Sequence, residues 1–415
     1  MSKKSSPIAL EENFPRCLKF LKNSSKNTIQ NYLISIKRYE QFHNMSIEEL
    51  VCEALDEQTQ RVPMHQLKII DRLEEFQEYL IEEDLVHSTI QNYVSKIKGV
   101  YHKNRVNIPY IEPLNPKRTK RNPVMEFKDV LTKEELKKVI PLMSYTVRAR
   151  AMAMIQGGLS NEECEHLTTR SFIDELYPYH QEEDDVEALI WLADPNHPVI
   201  WVTKLTRIKT GKPYYALIGS EAVNMIAEAK LHEMNLPKNH GLIPSKLLDC
   251  HKLTMNYACQ KINERLKLGQ AGGGNKLKPH NLRRFHATYI KGSALTYEEH
   301  SLISNREIDE LQGRGKTSVQ DTYIKSNPLE QKLIYAKVMN NLSLWHEYDY
   351  HIQGNDVSVT LRNPYDDMKV LEEKVDVLAS QLKKRRKASS ELQKLRRELG
   401  NDVFDSMISD ILNAS

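Results

Sequence analysis

Cysteine and glycine are scarce in this 415-residue chain. The five cysteines are scattered without paired spacing, which excludes a zinc-binding pattern and a disulfide framework. We interpret them as small apolar side chains in a reducing compartment. Only 15 glycines are present, and so few disfavour turn-rich all-β folds and glycine-rich phosphate loops.

Long apolar runs are absent as well. No segment approaches the ~20 apolar residues that a membrane-spanning helix needs. Residues 1–6 are polar and lack the apolar core of a signal peptide. These absences predict a soluble, cytoplasmic protein that has no membrane partner.

An excess of charge of either sign is also missing. The formal net charge is only +3, so any nucleic-acid site must come from local clustering of Lys and Arg. Hydrophobic residues make up 40% and charged residues 28%, which is typical of a globular protein. The length suits two or three domains.

The N-terminal part is predicted to be a small all-α domain. Apolar residues recur at helical spacing over residues 24–43 and 66–83, and again from Ser88. We therefore place a helical domain at residues 24–105, preceded by a flexible N-terminus at 1–23.

A proline-rich, basic segment follows at residues 106–129. Its four prolines interrupt helix formation. It is either a solvated linker or a linker that contacts DNA, since Lys and Arg bind phosphates without reading sequence. The candidate DNA-binding residues in it are Lys117, Arg118, Lys120 and Arg121.

A second domain is predicted at residues 130–350. Thr132 and Glu135 form a capping box ahead of an apolar run. Residues 187–218 have the composition of strands separated by turns, and helix returns from about 220 to 345. The three strand-like segments begin at Ala188, Val199 and Tyr214.

Two C-terminal features leave alternatives open. Residues 365–400 have a heptad-like leucine spacing, which predicts either a coiled coil or one helix docked on the body. An apolar helical stripe is either ordinary core or a surface that docks on a second copy. It consists of Leu333, Ile334, Tyr335 and Val338.

Three segments of the second domain stand out together. His280 and Arg283 form a His-x-x-Arg box, and a Leu-Gln-Gly-Arg314 box is followed nine residues later by Tyr323. Lys209 lies in a turn between two predicted strands. In order and spacing these segments resemble the catalytic domain of the tyrosine recombinases, the phage integrase family.

The resemblance implies a mainly α fold. It would combine a SAM-like helical core-binding domain with an α-rich catalytic domain that contains a small antiparallel β-sheet. It also implies a site-specific recombinase or integrase that cleaves and rejoins double-stranded DNA through a 3′-phosphotyrosine. Such an enzyme would act as a homotetramer, with no metal or small-molecule cofactor, in a prokaryotic cell or its mobile element.

The residue types suit that chemistry. The planar guanidinium of Arg283 matches two phosphate oxygens, and His280 could bind phosphate or accept the proton of the nucleophile. Tyr323 would attack phosphorus, with Arg314 as a further phosphate donor and Arg284 as a DNA contact. Lys209 would protonate the leaving 5′-oxygen. Alternative proton donors are Lys204 and Lys212.

Two positions depart from the family pattern. Ser160 stands where the family has its first catalytic arginine, and Arg314 stands where it most often has histidine. A serine supplies neither the charge nor the two-pronged donor. Either another arginine compensates, or the protein is a catalytically weak or inactive DNA-binding regulator. The candidates for compensation are Arg148, Arg150, Arg207, Arg284 and Arg314. A coiled-coil scaffold without a nucleic-acid role is a more remote alternative.

Overall fold

The computed structural model describes residues 15–124, 126–291, 305–313, 327–353 and 356–362. The described residues form two compact units. The first contains those up to Glu126 together with Ala271–Gly274, and the second contains those of Phe127–Gln270 and from Asn275 onward. Both units are helical apart from short antiparallel strand pairs, which confirms the predicted mainly α fold. No helix in this part of the chain has the length and apolar character needed to cross a membrane.

The first unit is built from four helices. They are α1 (Lys26–His43), α2 (Ile47–Thr59), α3 (Lys68–Glu82) and α4 (His87–Lys103). Polar caps start the first two: the Ser25 hydroxyl accepts the N–H of Thr28, and Ser46 forms a capping box with Glu49. The helices predicted from apolar spacing are confirmed, and α2 is an addition to them.

Aromatic side chains fill the centre of this unit. Tyr39 and Phe76 meet edge to face with ring centroids 4.9 Å apart. The hydroxyls of Tyr39 and Tyr101 lie 3.2 Å apart and share a hydrogen bond. Burial raises the pKa of Tyr101 to about 12, so this hydroxyl stays neutral at any physiological pH.

The prediction of a flexible N-terminus is wrong for part of residues 1–23. Arg16–Asn23 forms a 3-10 helix whose Cys17, Leu18 and Leu21 side chains are buried in the core of the first unit. Leu18 and Leu21 are three residues apart, a spacing that suits a 3-10 helix. Residues 1–14 lie outside the described residues.

Much of the basic segment is packed rather than solvated. Val106, Ile111 and Leu114 are buried in the core of the first unit. Further along, Lys120 pairs with Val86 in an isolated parallel bridge, and its carbonyl accepts the N–H of His87 at 3.0 Å. The prolines prevent helix formation, but these apolar residues are still buried in the core of the first unit.

The second unit contains nine described helices. They are α5 (Lys133–Val139), α6 (Tyr145–Gln156), α7 (Thr169–His180), α8 (Asp185–Ala193), α9 (Ser220–Met234), α10 (Lys252–Leu266), α11 (Pro279–Tyr289), α12 (Asn305–Leu311) and α13 (Pro328–Val338). Its strands are β1 (Trp201–Thr206), β2 (Pro213–Ile218), β5 (Tyr348–Gln353) and β6 (Asp356–Leu361), while the two-residue strands β3 (Gln270–Ala271) and β4 (Gly274–Asn275) have one residue assigned to each unit. The predicted capping box of Thr132 and Glu135 is present at the start of α5.

The prediction of a strand that begins at Ala188 is wrong, because this segment forms the helix α8. The Asp184 carboxylate caps it by accepting the N–H groups of Val186 and Glu187. A short run of apolar residues does not distinguish a buried helix from a buried strand by periodicity. The cap decides in favour of the helix.

The other two predicted strands form a hairpin. Strands β1 and β2 are antiparallel and in register from Trp201 opposite Ile218 to Thr206 opposite Pro213. The connecting turn is closed by the N–H of Arg207, which donates to the Lys212 carbonyl at 2.8 Å. The predicted small antiparallel sheet is therefore confirmed.

The C-terminal elements of the unit pack on its core. Tyr335 and Val338 of α13 are buried, and the Tyr335 hydroxyl donates to the Gln156 carbonyl at 2.9 Å. These two side chains are therefore intramolecular core and do not dock on a second copy. The hairpin of β5 and β6 was not predicted. The predicted helix at 365–400 lies outside the described residues.

Four of the five cysteines are buried, as expected for small apolar side chains. Burial raises the pKa of Cys17 to about 11, and raises that of Cys164 and of Cys259 to about 12. All five cysteines are free thiols, and Cys52 is exposed.

Candidate active site

The side chain of Arg283 lies in the interior of the second unit. Pro279 starts α11 with its fixed φ angle, and Arg283 follows on the inward face of the helix. Its Nη1 donates to Glu163 Oε2 at 2.9 Å, and its Nη2 donates to the carbonyl of Gln312. A buried guanidinium needs such acceptors, because an unpaired charge in the interior is strongly destabilising.

Glu163 and Ser160 hold each other in the turn that follows α6. The Ser160 N–H donates to Glu163 Oε2 at 2.7 Å, and the Glu163 N–H donates to the Ser160 hydroxyl at 3.2 Å. This reciprocal pair resembles a capping box at the start of the 3-10 helix Glu163–His166. Ser160 therefore has a structural use at this position, since an arginine side chain could not accept a hydrogen bond.

A second guanidinium reaches the same carboxylate. Arg207, the first residue after β1, lies with its Nη1 3.5 Å from Glu163 Oε1. The same Nη1 donates to the Gln312 carbonyl at 2.6 Å. Arg207 and Arg283 therefore share both acceptors. We call Arg207, Arg283, Glu163 and Gln312 the Glu163 network.

Gln312, which lies inside the Leu-Gln-Gly-Arg314 box, connects this network to helix α11. Its Nε2 lies 3.2 Å from the Arg283 carbonyl and 2.8 Å from His286 Nδ1. Gly158 permits this packing, because a Cβ there would lie 2.7 Å from the His286 ring and its φ is +61°. The turn after α6, helix α11 and the end of α12 therefore meet at one buried point.

Electrostatics at this point favour an anion. Within the four residues of this network, two guanidiniums face one carboxylate, which is an excess of one positive charge among them. Tyr214 of β2 packs beside the network, and its pKa is raised by burial and by the charge of Glu163, so it stays neutral. The described residues contain no group of three or more His, Cys, Asp or Glu placed to hold a metal ion.

The remaining predicted site residues have different surroundings. His280 is exposed, one turn before Arg283 on α11. Arg284 is half-buried and its Nη1 lies 3.4 Å from Asn281 Oδ1. Lys209 is exposed at the tip of the hairpin and makes no hydrogen bond or ion pair with another described residue.

Two predicted catalytic positions lie outside the described residues. They are Arg314 and Tyr323. The neighbouring residue Gly313 is described; its φ is +62°, and a Cβ there would lie 2.8 Å from the Tyr214 ring. The start of the Arg314 box is thus packed against the hairpin.

Two arginines that precede the turn are held away from the network. The Nη2 of Arg148 donates to the Pro141 carbonyl at 3.1 Å. Arg150 is fully buried, and its Nε donates to Asn161 Oδ1 at 2.8 Å and its Nη1 to the Cys250 carbonyl. Both side chains stabilise backbone segments.

The four predicted DNA-binding residues of the basic segment fall into two classes. Arg118 forms an ion pair with Glu78 at 2.5 Å, and Lys120 forms one with Asp84 at 2.6 Å. Lys117 and Arg121 are exposed and have no ion pair with another described residue. Lys117 and Arg121 therefore have their full charge available to a polyanion.

Sequence reasoning missed three residues of this arrangement. Glu163, Gln312 and His286 were not among the candidates. Two signals could have found the first two: Glu163 lies three residues after Ser160, and Gln312 lies inside the Leu-Gln-Gly-Arg box. A buried arginine needs a carboxylate, and Glu163 is in a matching motif segment.

Comparison with known proteins gave matches among solved structures only. No family model and no curated protein matches the chain. Two solved structures to which it is similar are recombinases. The crystal structure of XerA recombinase is 14% identical with a TM-score of 0.29, over 78% of this chain and 96% of that one. The XerH site-specific recombinase bound to its difH substrate, in a pre-cleavage complex, is 18% identical with a TM-score of 0.42, over 77% and 81%. Both TM-scores are below 0.5.

Proposed function

We propose that this protein is a tyrosine-type site-specific DNA recombinase. The observation that supports this most is the Glu163 network, which joins four motif segments that are far apart in sequence. Arg283 and Glu163 are separated by 120 residues, and Arg207 and Gln312 by 105. A chance resemblance of short motifs gives no reason for them to meet around an excess of positive charge.

The proposed reaction breaks and reforms one phosphodiester. The Tyr323 oxygen bonds to phosphorus, the bond from phosphorus to the 5′-oxygen breaks, and a 3′-phosphotyrosine results. His280 accepts the phenol proton or binds phosphate, and Lys209 gives a proton to the leaving 5′-oxygen. Arg283 stabilises the charge on the non-bridging oxygens. The covalent bond conserves the energy for rejoining, so no nucleotide, metal or cofactor is required.

The hairpin supports the role of Lys209. Its base is held by β1–β2 pairing and by the Arg207–Lys212 backbone hydrogen bond, while its tip carries an exposed lysine. A rigid base with an accessible amine suits delivery of a proton to a substrate that arrives from solvent. Lys204 and Lys212 are the alternative donors on the same hairpin.

The proposed partner is double-stranded DNA, bound by the homotetramer that the resemblance to tyrosine recombinases implies. Residues 24–105 would serve as core-binding domain and 130–350 as catalytic domain, joined by the basic segment 106–129. The proposed phosphate contacts are Lys117, Arg118, Lys120, Arg121 and Arg284. The proposed setting is the cytoplasm of a prokaryotic cell or its mobile element.

A nicked suicide substrate tests the proposal. Duplexes that the full-length protein binds are selected from a randomised pool, and each is then nicked near the centre so that the cleaved strand end is lost. We expect a covalent protein–DNA adduct with the wild type and with Tyr350→Phe, which alters an exposed hairpin tyrosine. Tyr323→Phe should give no adduct.

A second substrate tests the proton donor. Replacing the bridging 5′-oxygen with sulfur gives a leaving group that needs no proton. Lys209→Ala should cleave the oxygen substrate roughly 10²–10⁴-fold more slowly than the wild type, the usual range for lost general acid catalysis. It should cleave the sulfur substrate at the wild-type rate, and Lys204→Ala should resemble the wild type on both. A defect of equal size on both substrates would argue against Lys209 as the donor.

The alternative function is a DNA-binding regulator on the same scaffold. Ser160 favours it, because one expected phosphate-binding arginine is replaced by a serine whose described hydrogen bonds lie within the turn. Sequence-selective binding without any adduct from the wild type would establish this alternative and exclude the recombinase. Absence of salt-dependent DNA binding would exclude both.

A further inference from the structure

We infer that Arg207 supplies the phosphate-binding guanidinium that Ser160 lacks, and that it acts beside Arg283 on the DNA backbone. This inference rests on the proposed recombinase function. It assigns a catalytic role to a residue of the hairpin base, where the family resemblance places only the lysine of the hairpin tip.

The guanidinium of Arg207 lies beside that of Arg283. Arg207 and Arg283 donate to opposite oxygens of one Glu163 carboxylate and to one carbonyl, that of Gln312. Two guanidiniums that share two acceptors are neighbours in space. The backbone N–H of Ser160 donates to the same carboxylate, so the Arg207 guanidinium and the turn that carries Ser160 meet at one side chain.

The guanidinium of Arg207 has donors available for a phosphate. The bonds of Arg207 use Nη1 alone, so its Nε and Nη2 have no partner among the described residues. Its side chain is 16% exposed, whereas that of Arg283 is 4% exposed. Arg207 can therefore turn a two-pronged donor toward a phosphate from solvent while Nη1 stays anchored.

The other candidate arginines are held elsewhere or lie outside the described residues. Arg148 and Arg150 hold backbone carbonyls elsewhere in the unit. Arg284 lies on α11 with its Nη1 directed to Asn281. Arg314 lies outside the described residues and is therefore the rival that the experiment must include.

The experiment measures single-turnover strand cleavage by the full-length protein on the nicked duplex. Removing one donor to a transition-state oxyanion lowers a rate by roughly 10²–10³-fold, and we expect this loss for Arg207→Ala. Arg207→Lys keeps the positive charge but loses the two-pronged donor, so its cleavage rate should lie between that of the wild type and that of Arg207→Ala. Arg148→Ala is the matched control, since it removes a guanidinium of the same unit outside the network, and should cleave within about threefold of the wild type.

A neutral substrate separates a phosphate contact from a structural role. Replacing one non-bridging oxygen of the scissile phosphate with a methyl group removes the negative charge that the guanidinium stabilises. On this methylphosphonate the ratio of wild-type to Arg207→Ala rates should shrink to less than about tenfold, because the electrostatic contribution is gone. A residue that only positions Glu163 or Gln312 would show the same ratio on both substrates.

The outcomes are distinct from those of the proposed function. If the wild type cleaves neither substrate, the recombinase proposal fails. If the wild type cleaves and Arg207→Ala cleaves equally fast, or is equally impaired on both substrates, only the present inference is overturned. It is also overturned if Arg314→Ala alone shows the charge-dependent defect. A defect of Arg207→Ala that shrinks on the methylphosphonate supports it.

Discussion

At the scale of single residues, Glu163 holds the candidate site together. Its carboxylate accepts from Arg283 and Arg207 and from the Ser160 N–H. It is nearly fully buried, so its charge is compensated by these donors and not by water. Removing it would leave two guanidiniums facing each other in the interior.

We therefore predict that Glu163→Ala lowers the free energy of unfolding by about 3–5 kcal/mol, the usual effect of removing one partner of a buried ion pair. Glu162→Ala is the control, because this neighbouring carboxylate is half-exposed and 3.8 Å from Lys252. It should change stability by less than about 1 kcal/mol. Urea unfolding followed by circular dichroism measures both. Equal effects would show that the network contributes little.

At the scale of secondary structure, Glu221 anchors the C-terminal segment to α9. Its carboxylate accepts the backbone N–H groups of Leu344 at 2.8 Å, Trp345 at 2.7 Å and His346 at 2.9 Å. Gln156 Nε2 donates to it as well, at 3.1 Å. These backbone donors come shortly before β5, so the buried Glu221 carboxylate fixes where the hairpin of β5 and β6 begins.

Glu221→Gln tests that anchor, because it replaces one accepting oxygen with an NH2 group that faces backbone donors. We predict a loss of stability of about 3 kcal/mol, since each buried donor left without a partner is destabilising by about 1–3 kcal/mol. Hydrogen exchange should accelerate over residues 344–361 more than in α1–α4. Glu228→Gln, on the exposed side of the same helix, is the control. Unchanged exchange over 344–361 would contradict the anchoring role.

The elements also show how far local patterns reach. Caps and apolar spacing predicted α1, α3, α4 and the start of α5, because those signals are local. The same reasoning assigned α8 to a strand, since a short apolar run fits either element. The 3-10 helix at 16–23 and the hairpin of β5 and β6 were overlooked, because their stability comes from packing on distant residues.

At the scale of the whole molecule, the mild net charge conceals an uneven distribution. In the basic segment, Arg118 and Lys120 are already paired with carboxylates of the first unit, while Lys117 and Arg121 have no such partner in the described structure. Exposed pairs are weak, but they reduce the counterion release that follows when a lysine or arginine meets phosphate.

This difference gives a prediction for DNA binding. Lys117→Ala and Arg121→Ala should each reduce the slope of log affinity against log salt concentration by about 1, as expected for one lost phosphate contact. Arg118→Ala and Lys120→Ala should change the slope by less than half as much. Titrations at several salt concentrations measure this. If all four variants changed this slope equally, the ion pairs with Glu78 and Asp84 would have no effect on DNA binding.

The amino-acid sequence predicts the helical composition, the hairpin that carries Lys209 and the place of the motif residues His280 and Arg283 on one helix. These follow from neighbours within a few residues, where caps, prolines and apolar periods act. It left the consequence of Ser160 open among five arginines. Only the tertiary structure narrowed that choice, by placing Arg207 on the Glu163 carboxylate and holding Arg148 and Arg150 elsewhere. The physical reason is that a buried charge must be compensated by whichever opposite charge the fold brings to it, and sequence distance carries no information about that meeting.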